Sequence, residues 1–308
     1  MNLNEHNRIK LEKILLEDLT PEFAHAIPYL VERTRQGIRC TKAGTANYDI
    51  PGLSRVGGDP DLPPQLEWPL TTDGVPMTFL VQLNLQDLAQ HDEASLLPTC
   101  GMLYFFGGEA ESAFNIQHRV LFVADDELAS VQRRLSPAAT ALKEQFHGYQ
   151  LETRATLEPP NHAYVDYDQF LQNEIDDDED YEVQIMEDYE SLCNTISDCQ
   201  YEDVIQMFGY PTEEEQHDDS EYAAALMMLT GATYNYDKNE ALQQLANYFA
   251  GNEEKAKQEI EDTIMLLEID LNDDDTGFGW PGILHFFIRK EDLLAGRFDR
   301  TYCSLYSS

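Results

Sequence analysis

The sequence predicts an α+β protein: two related, largely antiparallel β units produced by internal duplication, with peripheral helices and an acidic helical insertion. Three observations carry this reading. The apolar stretch Thr78–Leu85 (TFLVQLNL) reappears late in the chain as Ile264–Leu271 (IMLLEIDL). Each copy is followed by a Gly-led run ending in Phe-Phe, Gly101–Phe106 and Gly282–Phe287, and then by an Arg-led run, Arg119–Val123 and Arg300–Leu305. Between the copies, positions 155–237 hold 23 Asp and Glu and no Lys or Arg. The second and third runs start 18 residues apart in both copies. The first and second start 23 apart in one copy and 18 in the other, the kind of difference a surface loop absorbs.

Taken in order, positions 8–36 carry apolar residues at helical spacing (Ile9, Leu11, Ile14, Leu15, Leu19, then Phe23, Ile27, Leu30, Val31). Thr20-Pro21 suits a restart, with Thr as N-cap and Pro in the first turn, so two short helices or one helix kinked at Pro21 are expected. Gly44–Pro51 reads as a turn-rich connection. The density of Gly and Pro from Arg55 to Pro69 forbids helix and sets tight turns. In the strand Thr78–Leu85, Phe79, Val81, Leu83 and Leu85 alternate with Leu80, Gln82 and Asn84, one face fully apolar and one mixed. Ser136–Gln145 is expected to be helical, with Pro137 in its first turn. In the acidic stretch Tyr181, Ile185, Tyr189, Leu192 and Ile196 recur at steps of three and four, which predicts an acidic amphipathic helix approached through Asp176–Asp180. A shorter fragment, Met207–Pro211, precedes the second copy as a counterpart of the Gly57-Gly-Asp-Pro60 turn. Asn239–Phe249 is expected to be a helix stopped by Gly251, and Asn252 to cap a further helix over Glu253–Thr263. Within one unit of 1–308, the expected segments are a helical lead-in over 1–50, a first repeat half over 51–150, the insertion over 151–206 and a second half over 207–308.

Composition narrows the function. With 42% hydrophobic residues in 308 the chain can bury a core, so its net charge of −38 does not imply disorder. That charge argues against binding nucleic-acid phosphates, where Lys and Arg drive counterion release, and against anionic membrane surfaces. No apolar run reaches the ~18 residues of a membrane span, and the N-terminus lacks a charged-then-apolar signal pattern. Five scattered cysteines without a CxxC pair suit reduced thiols, so a cytoplasmic location is expected.

Nucleophile elbows, P-loops, HExxH helices and dinucleotide fingerprints are absent, no cofactor is implied, and the eight His are scattered. Asp270, Asn272 and Asp274 have the step of a calcium loop, but Asp275 stands where Gly is needed and Pro281 where Glu is needed, so a polar turn is the favoured reading. Gln82 and Asn84 of the first copy correspond to Glu268 and Asp270 of the second. Packed about a pseudo-two-fold axis, the four would line a shared pocket able to do acid–base work if burial separated the carboxyl pKa values. His285 matches Tyr104, as a structural histidine.

The motifs Gly57-Gly-Asp-Pro60, Leu62-Pro63, Trp68-Pro69, Phe79–Leu83 and Gly101–Phe106, with Phe208–Pro211, Leu266–Asp270, Trp280 and Gly282–Phe287 in the same order, resemble the YwqG family of bacterial proteins of unknown function. The likeness covers roughly 50–125 and 205–305. It implies an α+β fold of two related halves and no established activity; some relatives sit beside secreted toxins and look like candidate immunity proteins. The acidic 155–206 segment and the 237–262 helices depart from the pattern.

The reading that joins these observations is a non-enzymatic cytoplasmic binding protein. Its acidic face, Asp176, Asp177, Asp178, Glu179, Asp180, Glu182, Glu187, Asp188 and Glu190, captures a basic protein partner such as a toxin. The alternative is a small-molecule-binding module or enzyme using the inter-repeat pocket of Gln82, Asn84, Glu268 and Asp270. A halophile's acids would be spread over the surface, whereas these cluster.

Overall fold

The computed structural model describes residues 3–113, 115–142, 146–171, 179–213, 218–272 and 282–306. Twelve strands lie along them: β1 (Arg35–Thr45), β2 (Arg55–Val56), β3 (Asp61–Leu62), β4 (Thr78–Asn84), β5 (Met102–Ser112), β6 (Asn115–Val123), β7 (Gln132–Arg133), β8 (Tyr149–Glu158), β9 (Asp203–Met207), β10 (Thr263–Asp270), β11 (Ile283–Arg289) and β12 (Tyr302–Tyr306). Ten of them form one sheet in the order β12-β11-β10-β9-β1-β8-β2-β4-β5-β6, every pairing antiparallel; β3 and β7 form a separate pair. With ten α-helices beside this sheet among the described residues, the protein is α+β, as the periodicity of the sequence leads one to expect.

The order of the sheet is palindromic, and its register shows why. In β4 and β5, Leu83 pairs with Leu103, Gln82 with Tyr104 and Val81 with Phe105, then a bulge at Leu80 leaves Phe79 on Phe106. In β10 and β11, Ile269 pairs with Leu284, Glu268 with His285 and Leu267 with Phe286, then a bulge at Leu266 leaves Met265 on Phe287. Repeating a bulge at the same place re-aims the same side chains in both copies. β2 runs beside β4 as β9 runs beside β10, with Arg55 opposite Gln82 and Gln206 opposite Glu268. Each strand then turns out through a left-handed residue, Gly57 at φ 66° and Phe208 at φ 65°. The pseudo-two-fold axis passes between β1 and β8 at the Thr41–Glu152 pair.

The sheet curls until its two edges meet. Leu305 N donates to Ala113 O at 2.7 Å, and His118 Nε2 lies 3.0 Å from Thr301 Oγ1. Inside the curl the main core gathers Leu80, Val81, Leu83, Leu103 and Phe105 with their counterparts Leu266, Leu267, Ile269, Leu284 and Phe286. One strand match needs correction. Arg119 stands opposite Phe106, but the residue opposite Phe287 is Tyr302, so Arg119 corresponds to Tyr302 and Arg300 lies before β12 in the 3-10 turn Phe298–Arg300. A shift of two residues keeps every side chain on its face, so both alignments carry the same apolar pattern.

Helices cover the outer faces. Near the N-terminus come the helix Glu5–Asp18, the 3-10 turn Pro21–Ala26 with Pro21 in its first turn, and the helix Ile27–Arg33. The acidic helix runs Glu179–Ser197, and Ile185, Tyr189, Leu192 and Ile196 are buried against Leu11, Leu15, Leu30 and Phe170. The helices Lys238–Tyr248 and Glu253–Glu261 form where capping signals place them, with Asn252 Oδ1 accepting the Lys255 amide at 3.0 Å. The helix expected over Ser136–Gln145 is absent from its described part, Ser136–Leu142. Tertiary bonds hold that segment in an irregular, bent path: Ala141 N donates to Pro76 O at 2.9 Å and Leu142 N to Thr78 Oγ1 at 3.0 Å, which outweighs the weak helical preference of so short a run. Among the described residues no helix is long and apolar enough to cross a membrane.

Candidate functional site

A cavity of about 290 Å³ opens where the end of β8, the acidic helix and the turn after β9 meet the outer face of β9 and β10. Glu158 closes one wall. It is the last residue of β8 and is buried, and its carboxylate accepts from Arg39 Nε and Nη2 (both 2.8 Å), Thr156 Oγ1 (2.6 Å) and Ser197 Oγ (3.1 Å). Burial alone would lower the Arg39 pKa, but the bonds and charge of Glu158 more than reverse this. Two glycines make room for the wall. A Cβ on Gly37 would stand 2.6 Å from Glu158 Cγ, and one on Gly209 would stand 2.0 Å from Gln206 Nε2.

The floor is a carboxylate–imidazole–carboxylate row. His285, wholly buried on β11, lies with Nε2 3.1 Å from Glu268 Oε2 and Nδ1 3.5 Å from Glu213 Oε1. Glu268 accepts the Thr212 amide at 2.7 Å and the Thr212 hydroxyl at 3.0 Å; Ser220 Oγ donates to Glu213. Burial pushes the Glu268 pKa up, and the His285 bond and charge with the Thr212 bonds bring it below the ordinary value. Burial pushes His285 down, yet its bond to Glu268 and the charges of Glu268, Glu213 and Glu221 raise it. Glu213 is raised by burial, which His285 and Ser220 only partly offset. The row therefore favours the protonated form of His285, set between two carboxyl groups. Cys193 also lines the cavity, but burial pushes its thiol up to about 12, so it is no ready nucleophile.

The four residues expected to share a pocket do not meet. Gln82 and Asn84 serve loops of their own half: Gln82 Oε1 accepts the Asp61 amide and its Nε2 donates to Leu53 O (both 2.7 Å), while Asn84 Nδ2 donates to Gly52 O at 2.9 Å. Glu268 lines the cavity described above, and Asp270 Oδ1 accepts the Asn272 amide at 2.8 Å. Alternation explains the outcome. Val81, Leu83, Leu267 and Ile269 face the inner core, so Gln82 and Glu268 point to the outer face, away from the axis. Asn272 Oδ1 accepts the Gly282 amide at 2.9 Å, so Asp270 and Asn272 form a polar turn; Asp274 lies outside the described residues. Of the acidic face, Glu187, Asp188 and Glu190 are exposed, Glu190 at the cavity mouth. Asp176, Asp177 and Asp178 and the side chains of Glu179, Asp180 and Glu182 lie outside the described residues. The sequence reading missed Arg39, Glu158, Thr212 and Glu213. Extending the Met207–Pro211 match one residue back, to set Gln206 on Arg55, would have pointed to this turn.

A family model spanning residues 54–306 matches the chain over most of its length. The chain belongs to the DUF1963 family. That family is described as a domain of unknown function, and the match takes in both copies of the repeat and every residue of the cavity except Arg39. No curated protein matches the chain.

Proposed function

We propose that the chain is a non-enzymatic binding protein that captures a basic protein partner along the acidic helix Glu179–Ser197. The observation that supports this most is the way the helix is seated. Its apolar stripe is buried, Tyr189 Oη donates to Pro160 O at 2.5 Å, and Glu187, Asp188 and Glu190 are thereby presented to solvent on a fixed frame. A surface hollow lined by Glu187, Glu190, Asn194 and Asp198 continues into the cavity through Glu190 and Asn194. Opposite-charge steering across such a face raises association to about 10⁸–10⁹ M⁻¹s⁻¹ and weakens steeply with salt. The likeness to YwqG-like proteins, some of them beside secreted toxins, makes a cytoplasmic immunity protein the form of this reading we favour.

The test is capture of partners from the native bacterium at low salt, with the full chain and with Glu187→Gln/Asp188→Asn/Glu190→Gln. Recovery of a basic protein by the first and its loss with the second is expected. Capture indifferent to the three substitutions would refute the reading. The cavity of about 290 Å³ favours a second reading, a small-molecule-binding module or enzyme. Its location is the Glu158–Glu268 cavity and no longer the inter-repeat axis.

A further inference from the structure

The second half of the sheet repeats the first half's guanidinium cradle without its guanidinium. In the first half Arg55 is wholly buried opposite Gln82. Its Nη2 donates to Asp61 Oδ2, its Nη1 to Asp59 O at 3.0 Å, and its Cζ lies 4.7 Å from the Tyr48 ring centre. Gln82 shapes the cradle by accepting the Asp61 amide at 2.7 Å and donating to Asp61 Oδ2 at 3.0 Å, and Tyr104 Oη donates to Asp61 O at 2.6 Å.

Strand register and the left-handed turn at Gly57 and Phe208 set the counterparts: Gln206 for Arg55, Tyr210 for Asp59, Thr212 for Asp61, Glu268 for Gln82 and His285 for Tyr104. The key bond is kept, since Thr212 N donates to Glu268 Oε2 at 2.7 Å where Asp61 N donates to Gln82 Oε1. The anion has moved from the Asp61 place to the Gln82 place. The cation has gone: Gln206 is neutral and keeps only Arg55's bond to the turn carbonyl, its Nε2 donating to Tyr210 O at 3.1 Å as Arg55 Nη1 does to Asp59 O. Gln206, Tyr210, Thr212 and Glu268 all line the cavity, which thus lies where the Arg55 side chain lies in the first half.

We infer that this cavity binds a guanidinium group, which takes in the second half the place that Arg55 fills in the first. Charge agrees. The lining carries Glu158, Glu190, Glu213 and Glu268 against Arg39, so with His285 protonated beneath Glu268 the carboxylates still outnumber the cations by two. His285, wholly buried beneath Glu268 with its Nδ1 3.5 Å from Glu213 Oε1, gives the site a spectroscopic reporter. A planar fork of N–H donors suits carboxylate and carbonyl acceptors better than a compact ammonium does. The group comes either from a free guanidino compound or from an Arg side chain of a protein, and only the latter source rests on the basic-partner reading above.

The probe is methylguanidinium chloride, titrated into the isotope-labelled full chain at constant ionic strength while the His285 imidazole resonances are followed. Saturable shifts are expected with a Kd of about 1–10 mM, well inside the ceiling for so small a ligand. Methylammonium should bind about tenfold more weakly, for want of the fork. Gln206→Arg should abolish saturation by filling the place from within, and Glu268→Gln should abolish it by removing the anion. Shifts of the wild-type chain that stay linear to about 100 mM would overturn the inference, as would saturation untouched in Gln206→Arg. Should Glu268→Gln lose its dispersed spectrum, the wild-type and Gln206→Arg titrations decide alone. An Arg-rich and a Lys-rich peptide of equal charge separate the sources. Preference for the Arg peptide that is lost in Gln206→Arg marks a protein source. Methylguanidinium binding without peptide preference marks a free compound and leaves the basic-partner reading to its own test.

Discussion

Phe105 and Phe286 meet edge to face, ring centres 5.2 Å apart and planes at 73°, inside the curled sheet. Each is the counterpart of the other in the repeated register, so the contact lies on the pseudo-two-fold axis, as does that of His118 with Thr301. The halves are thus joined by residues that duplication made equivalent. Truncating either buried ring to Ala should cost about 3–5 kcal/mol. In a double-mutant cycle the pair should show a coupling of about 0.5–1.5 kcal/mol beyond the two single losses. Urea unfolding of Phe105→Ala, Phe286→Ala and the double variant checks this, and strict additivity would refute the contact.

The first-half cradle makes a different demand on stability. Arg55 and Asp61 have no solvent exposure, and burial pulls the Arg55 pKa down with the Asp61 charge resisting. Arg55→Met leaves Asp61 buried without its cation and should cost about 3–5 kcal/mol. Arg55→Met/Asp61→Leu should recover much of that loss, because an apolar pair of similar size pays no desolvation. Midpoints of chemical unfolding for the single and double variants measure the difference.

These two sites also show what was legible in the sequence. The β4–β5 and β10–β11 strands were, because an apolar alternation is a local signal that survives duplication. The central strands β1 and β8 were not. Arg39 and Arg154 break their apolar pattern and read as surface, yet they are matched by Glu158 and Asp203 across neighbouring segments. The correspondence of Gln82 with Glu268 was readable, but not which face pointed at the axis. That depends on the curl of the sheet, a property of how the ten strands close and of no single segment. The cavity residues come from β1, β8, β9, β10, the turns after β8 and β9 and the acidic helix, so only the fold brings them together.

The row Glu213–His285–Glu268 ties stability to pH. Raised in the fold, His285 contributes stability that is fully present below its ordinary 6.5 and is lost as pH rises through its folded value. Lowered in the fold, Glu268 contributes stability present above its ordinary 4.5 and lost as pH falls through its folded value. Glu213, raised by burial, opposes folding once ionised, so its contribution is lost as pH rises above its ordinary 4.5. The Glu268–His285 pair therefore contributes most between 4.5 and 6.5, and Glu213 tilts that window toward its acid end. Unfolding free energies of the wild type should fall from mildly acidic to alkaline pH, and His285→Gln should flatten that slope. Parallel pH profiles for the two proteins would show that the row is not linked to folding.

Thiol reactivity tests the burial of the cavity wall from another side. Cys100 and Cys199 are exposed, whereas Cys40 and Cys303 are buried and Cys193, on the acidic helix itself, is half-covered. Burial is the leading cause that raises Cys193 from an ordinary 9.0 to about 12, and it does the same for Cys40. The thiolate is the reactive form, so its fraction at Cys193 near neutral pH is cut by roughly a thousandfold. Alkylation of the native chain at pH 8, read by peptide mass spectrometry, should modify Cys100 and Cys199 first. Cys40, Cys193 and Cys303 should follow only with denaturant. Leu192→Ala, which loosens the seat of the acidic helix at a cost of about 2–5 kcal/mol, should speed labelling of Cys193 while leaving Cys40 protected. Equal acceleration at both sites would mean that the helix unfolds only with the whole sheet, and early labelling of Cys193 in the native chain would mean that the wall is open.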